Sequence, residues 1–399
     1  MMKKGMYIVV FIFLLSSTVN AGWIDSVKDA ASGALNKQVQ EKNVQTETSR
    51  GENVQAVTVP GEKAAIGFTK GAPVSRSLED FAMAERAVDK TSIVVWARTL
   101  TFLPTSSGTR NDKLWSWVPL LDFKALGPIP AGTRFLVEYS FPSGKPWISF
   151  DLVCDETAKG AWREFTRAGN EIPDDKGTSE AGMFGLKITL VNELESKREP
   201  LFNGKIEVKK YIWNKSFKTK FDYYVDQDWR LLYGFIYSDW YVQQTSGWNA
   251  NPAPVFKTDL WFRGDSPHLE GFLFYKGKKI ASSKANQKKS YSTFESSPYV
   301  WSLQSFWFNT VLVFNNEETN SHPDAHVLSS NPGEYEIKVL QDGKLSRTLG
   351  FTVGADGKLV DNGNCANLNC NRQIAVDVKL TGDTSSIKRE NAFYGNPVR

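Results

Sequence analysis

The sequence predicts an all-β chain built as two tandem β-sandwich domains behind a short helical amino-terminal segment. After Lys90, runs that alternate apolar and polar residues recur between Gly, Pro and Asp clusters, six in each of two blocks, with little helical periodicity. The chain is also rich in rings that favour strands, with 13 Trp, 13 Tyr and 25 Phe among 399 residues. Finally, Asn331 to Val353 reads as one hairpin, in which Tyr335, Ile337 and Val339 alternate with Glu336 and Lys338 and the return carries Leu345, Leu349, Phe351 and Val353. A two-residue Asp342-Gly343 turn would put the two apolar sets on opposite faces, because a slip of one residue inverts every side chain. The expected loop is therefore Gln341-Asp342-Gly343, with Gly343 left-handed, Val339 opposite Leu345 and Tyr335 opposite Leu349.

From the start, residues 1–21 have the charged, apolar and small-residue parts of a secretory signal peptide, with cleavage expected after Ala21. The apolar run is too short to span a bilayer, and no other stretch reaches membrane-spanning length, so no transmembrane segment is expected in the mature form. Residues 22–90 are read as a helix, a disordered linker and a second short helix. Trp23, Val27, Ala31 and Leu35 form one helical stripe, residues 40–63 are polar, and Ser77 with Asp80 starts a helix that runs to about Asp89. The first helix is expected to serve attachment or assembly, or else to pack on its own chain.

The first sandwich is assigned to residues 91–226 and the second to 227–361, with a polar boundary, VDQDW, near Asp226. The stretches from Phe135 and Phe256, from Asn203 and Pro332, and from Phe221 and Phe351 align in the same order, so a duplication with similar topology in both blocks is expected. Residues 362–399 hold an Asn-rich loop, a further strand from Ile374 to Leu380 and a polar tail. That strand is assigned to a sheet of its own chain, with a neighbour's edge as the alternative. Cys365 and Cys370 are expected to pair after export, while Cys154, within ISFDLVC, stays reduced as a small buried residue.

Signs of chemistry are sparse. The phosphate-loop, HExxH, GxSxG and dinucleotide patterns are missing, so no catalytic residue and no cofactor is assigned. His322, Asp324 and His326 lack the spacing of a metal site, and the loop from Asp361 lacks the closing acid of a calcium loop, so no metal is assigned. A formal charge of +4 is too small to imply nucleic acid. The aromatic loop Ser238 to Pro254 is the candidate binding surface. Trp240, Tyr241 and Trp248 are interleaved there with polar residues including Asn249, a mixture suited to sugar rings or a protein partner, unless the rings close a core. Trp115 and Trp117 carry the same ambiguity.

The paired hairpin pattern over Thr91 to Val360 resembles immunoglobulin-like domains of bacterial envelope proteins, without the Cys, Trp and Cys arrangement of antibody domains. The resemblance implies a scaffold and assigns no activity. The expected function is that of an exported, non-catalytic protein, periplasmic or at the cell surface, that binds an envelope protein partner or self-assembles. The alternative is a glycan-binding module or a glycoside hydrolase whose carboxylate pair is not visible in the sequence.

Overall fold

A computed structural model of the chain describes residues 74–76, 86–159, 161–241, 253–264, 268–292, 297–313, 324–365, 368–370 and 373–396. All of them fall in one compact unit, Gly67–Arg399. The expected leader, first helix and linker lie outside the described residues, as does the second helix up to Glu85, whereas Ala87 to Asp89 are strand.

The chain is all-β. Its first part comprises β1 (Ala87–Leu100), β2 (Ser116–Leu126), β3 (Thr133–Ser140), β4 (Pro146–Val153), β5 (Trp162–Ala168), β6 (Gly182–Asn192), β7 (Lys197–Ile212) and β8 (Phe221–Val225). Strands β1, β2 and β5 form one sheet, and β8, β7, β6, β3 and β4, in that order, form another. Rings interlock between them: Phe123 of β2 lies 5.8 Å from Phe135 of β3, and Trp117 of β2 lies 5.0 Å from Phe184 of β6. β2 reads SWVPLLDFKAL and is buried everywhere except Lys124. A strand apolar on both parities needs cover on both faces. The larger sheet covers one, and the second part of the chain covers the other.

That second part is a closed barrel. Its strands are β9 (Tyr233–Tyr241), β10 (Ala253–Arg263), β11 (Leu269–Tyr275), β12 (Lys278–Tyr291), β13 (Trp301–Trp307), β14 (Gly333–Gln341), β15 (Lys344–Val353) and β16 (Gln373–Leu380). Around the ring the order is β9, β10, β13, β12, β11, β14, β15 and β16, every pairing antiparallel. Closure is made by β16, which pairs with β9 and, through Leu349↔Val378 and its neighbours, with β15. Ile236, Phe256, Leu260, Phe306, Ile337, Leu349, Phe351 and Val376 fill the interior. The alternate residues Phe235, Trp261, Trp301 and Ala375 join instead the apolar cluster of the first part. The three-strand sheet is thus held between the larger sheet and one wall of the barrel; Trp96 of β1 meets Tyr291 of β12 at 5.0 Å.

Several expectations are corrected here. The second block closes on itself instead of forming a second sandwich, and the strand assigned to the tail is one of its staves, paired within its own chain. The aligned stretches also occupy different places: β3, around Phe135, pairs with β4 and β6, whereas β10, around Phe256, pairs with the preceding β9 and with β13. The β14–β15 hairpin turns on two residues. Leu340 pairs with Leu345 and Gln341 with Lys344, and Asp342 and Gly343 have φ of 50° and 75°, the doubly left-handed geometry that matches strand twist. A bulge at Ser346 restores the facing, so that Val339 opposes Arg347 and Tyr335 opposes Phe351, and Leu345 is left exposed.

The expected polar boundary is instead a buried joint. Gln227, Trp229, Arg230 and Leu232 are buried in and before the short 3-10 helix Asp228–Leu232. The tail is not wholly polar in its setting either, since Ala392, Phe393 and Tyr394 of the segment Arg389–Gly395 are buried against that joint. Cys365 and Cys370 lie at disulfide distance, with Cα atoms 5.2 Å apart, and Cys154 is free and buried, its thiol pKa pushed up by burial. The Cys365–Cys370 loop docks on β1, where Lys90 N–H donates to the Leu368 carbonyl at 2.8 Å and Asn369 Nδ2 donates to the Val88 carbonyl at 3.2 Å. Replacing both cysteines by serine is expected to cost about 2 kcal/mol, the loop-closure entropy of so short a ring. Equal urea midpoints for the variant and the oxidised parent would refute this.

Candidate functional site

Trp240 and Tyr241 end β9, with backbones opposite Pro254 and Ala253. Their side chains, and Trp248 and Asn249 altogether, lie outside the described residues. Trp115 and Trp117 belong to the core, at 5% and 0% exposure. His322 is outside the described residues, while His326 Nε2 lies 2.9 Å from the Tyr335 hydroxyl, its pKa lowered by burial. Among the described residues no group of three His, Cys, Asp or Glu is placed to hold a metal, and no helix is long and apolar enough to cross a membrane.

Several ionisable groups meet in a cleft between the β1-β2-β5 sheet and the barrel wall. Asp89, Asp122 and Glu164 come from the sheet, and Tyr237, Asp259, Lys289 and Tyr291 from the barrel, around a cavity of about 60 Å³. Asp122 Oδ1 accepts the Arg167 N–H at 2.7 Å, and its Oδ2 accepts the Tyr291 hydroxyl and the Lys289 ammonium, each at 3.1 Å. Lys289 also donates to Glu164 Oε1 at 2.7 Å. Asp259 Oδ1 accepts from Ser305 Oγ at 2.5 Å, and its Oδ2 lies 3.6 Å from Lys257 Nζ. Asp89 Oδ1 accepts the N–H and hydroxyl of Thr91, whose Oγ1 in turn accepts from Gln373 Nε2 at 2.6 Å.

Burial, with Asp122 beside it, pushes the Tyr291 phenol far above its ordinary range; burial with Asp259 and Asp89 does the same to Tyr237. Both remain proton donors at any physiological pH. Burial works to lower the Lys289 pKa, but Glu164 and Asp122 outweigh it and the net shift is upward. Asp122 and Glu164 thus share donors that stay protonated, and through them the sheet is tied to the barrel wall.

Lys289→Met is expected to cost about 2 kcal/mol near neutrality, since Asp122 and Glu164 lose their shared ammonium. A raised folded pKa means that the contribution is complete below the unfolded lysine value of about 10.4 and is lost as pH rises through the folded value. Urea unfolding at stepped pH should therefore show parent and variant converging only above about pH 10. A gap that stays constant through that range would refute the assignment.

Sequence reasoning missed this cluster, although one signal was present. Asp122 interrupts SWVPLLDFKAL and Asp259 interrupts FKTDLWF, and a charge inside an apolar strand requires a buried partner. The partners lie 167 and 46 residues away, for Lys289 and Ser305 respectively, a separation that carries no sequence pattern.

Outside the cleft, exposed apolar surface concentrates at the tip of the β7–β8 hairpin, where Ile212, Trp213 and Phe217 are 46%, 43% and 46% exposed. A groove of about 400 Å³ runs beside β4, lined by Trp147, Phe150, Asp151 and Glu171 among others. Comparison with known proteins found no matching family, no matching curated protein and no matching solved structure.

Proposed function

We propose that the chain is an exported, non-catalytic scaffold of the cell envelope, whose first part is an immunoglobulin-like sandwich and which works by binding a protein partner or assembling at a surface. The observation that carries this reading is the cleft: its carboxylates are hydrogen-bonded within the protein, and about 60 Å³ is far below the roughly 300 Å³ at which small-molecule sites begin. Sheets made of the first, second and fifth strands and of the fourth, third, sixth and seventh favour the immunoglobulin-like order, with β8 added at the edge. The leader-like start and the Cys365–Cys370 pair support export. The test is cell fractionation followed by crosslinking in intact cells: recovery in the envelope fraction with a defined crosslinked partner, or with itself, is expected. A cytosolic location with reduced Cys365 and Cys370 would overturn the reading.

The β4 groove favours a second reading, a glycan-binding module or glycoside hydrolase, because it combines two aromatic rings with two acids. Retention on polysaccharide columns, and release of reducing sugar, separate this reading from the first.

A further inference from the structure

The β7–β8 hairpin ends in the sequence Ile212-Trp-Asn-Lys-Ser-Phe-Lys-Thr-Lys220, and its apolar side chains point outward although the turn itself is tightly held. Trp213 N–H donates to the Lys220 carbonyl at 3.2 Å, Phe217 N–H to the Asn214 carbonyl at 2.8 Å, and Lys220 N–H to the Phe217 carbonyl at 2.9 Å. Asn214 Oδ1 accepts the Ser216 N–H at 2.8 Å, and Thr219 Oγ1 ties the tip to the body through the Lys113 carbonyl at 2.9 Å. Trp213 rests on the buried Trp115 at 5.2 Å and is stacked with Phe217 at 6.4 Å. The rings are therefore ordered in advance at the hairpin end.

The charges within the turn itself have one sign. Lys210, Lys215, Lys218 and Lys220 flank the trio in sequence, Lys220 Nζ lies 5.0 Å from the Phe217 ring, and the run from Lys209 to Lys220 contains no acid. Lys209 is taken up by Asp226 and Glu207, but the other four form no ion pair among the described residues. Nearby Asp112 and Lys113 offset one another. A polyanion would use these lysines and leave the apolar trio in water; a bilayer surface uses both. Tryptophan rings settle at the headgroup level, where lysine ammonium groups reach the phosphates, and two such signals together are what stable peripheral binding requires.

We propose that the β7–β8 tip, with Ile212, Trp213 and Phe217 in the interface and Lys210, Lys215, Lys218 and Lys220 on the headgroups, docks the protein on an anionic lipid surface. This names the surface to which the envelope scaffold would attach, and so rests on that reading for its setting, although binding itself can be measured without it.

The full chain is cosedimented with vesicles of phosphatidylcholine alone and of phosphatidylcholine with phosphatidylglycerol, at low and high salt, with soluble heparin as a polyanion control. Binding is expected only to the anionic vesicles and is expected to weaken with salt. Trp213→Ser with Phe217→Ser, and separately Lys215→Glu with Lys218→Glu, should each lower it roughly tenfold or more. Both pairs change exposed side chains, and unchanged melting temperatures will show that the fold is intact. Equal binding to neutral vesicles, no vesicle binding at low salt, heparin binding without vesicle binding, or variants that bind like the parent would each overturn the proposal. Failure on vesicles by a protein found in the envelope would sink the tip and spare the scaffold reading; vesicle binding by a protein found in the cytosol would do the reverse.

Discussion

Arg230→Ala should cost about 4 kcal/mol of unfolding free energy, a magnitude reserved for losing a buried charge-centred network. The guanidinium lies 4.4 Å from the Trp229 ring and 4.5 Å from the Trp261 ring. It donates to Gln227 Oε1 at 2.6 Å, to the Thr91 carbonyl at 3.4 Å, to the Ile93 carbonyl, and to the Tyr394 hydroxyl at 3.1 Å. One side chain thereby ties β1, the joint, the barrel wall and the tail, and none of these hydrogen-bond acceptors is a carboxylate. The weak hydration and flat face of a guanidinium make such a site tolerable, and an ammonium reproduces neither. Arg230→Lys should therefore recover little, and Arg230→Met only the part due to volume. Equilibrium urea unfolding measures all three. A loss below about 1 kcal/mol for the alanine variant, the scale of an ordinary surface change, would show that the joint is held by apolar contact alone.

Phe393→Ala is expected to cost about the same, because a fully buried phenylalanine is worth about 3–5 kcal/mol. Its ring packs 4.6 Å from Trp229 and 5.2 Å from Tyr233. Phe393 and Tyr394 have φ of 46° and 59°, which bulky residues adopt only when their surroundings compel it. Here the compulsion is burial together with the Tyr394 hydroxyl, which accepts the Val95 N–H at 3.1 Å and reaches the Ile93 carbonyl and Gln227 Oε1, each at 3.2 Å. Tyr394→Phe should cost about 1–3 kcal/mol on its own. It should cost much less in the Arg230→Ala background, because both groups serve one network. Additive losses, or a tail that limited proteolysis removes without lowering the melting temperature, would refute the linkage.

Local pattern decided much of the strand map. Thr133 to Ser140 alternates cleanly and falls on an observed strand because one of its faces is buried. Three strands lack that alternation because their environment is unusual. β2 is apolar on both parities because it has cover on both faces, β5 is largely exposed, and β12, KKIASSKANQKKSY, is polar yet contributes Lys289 and Tyr291 to the cleft. Of the candidate site residues, the pairing of Cys365 with Cys370 was legible because their short separation allows it whatever the fold.

The sequence by itself determined the β class, the faces of the regular strands and that cysteine pair, since each depends on residues a few positions apart and on the two-residue repeat of an extended chain. Tertiary structure alone decided the rest. Whether the last strand closes a barrel depends on β16 meeting both β9 and β15, and Tyr233 and Asp377 come opposite one another across most of the second half of the chain. The hairpin facing depends on a bulge at Ser346 that turn chemistry does not encode, and the joint at Arg230 exists only where four distant segments converge. Such contacts are chosen by which surfaces exclude water together, a property of the assembled layers and not of any single stretch.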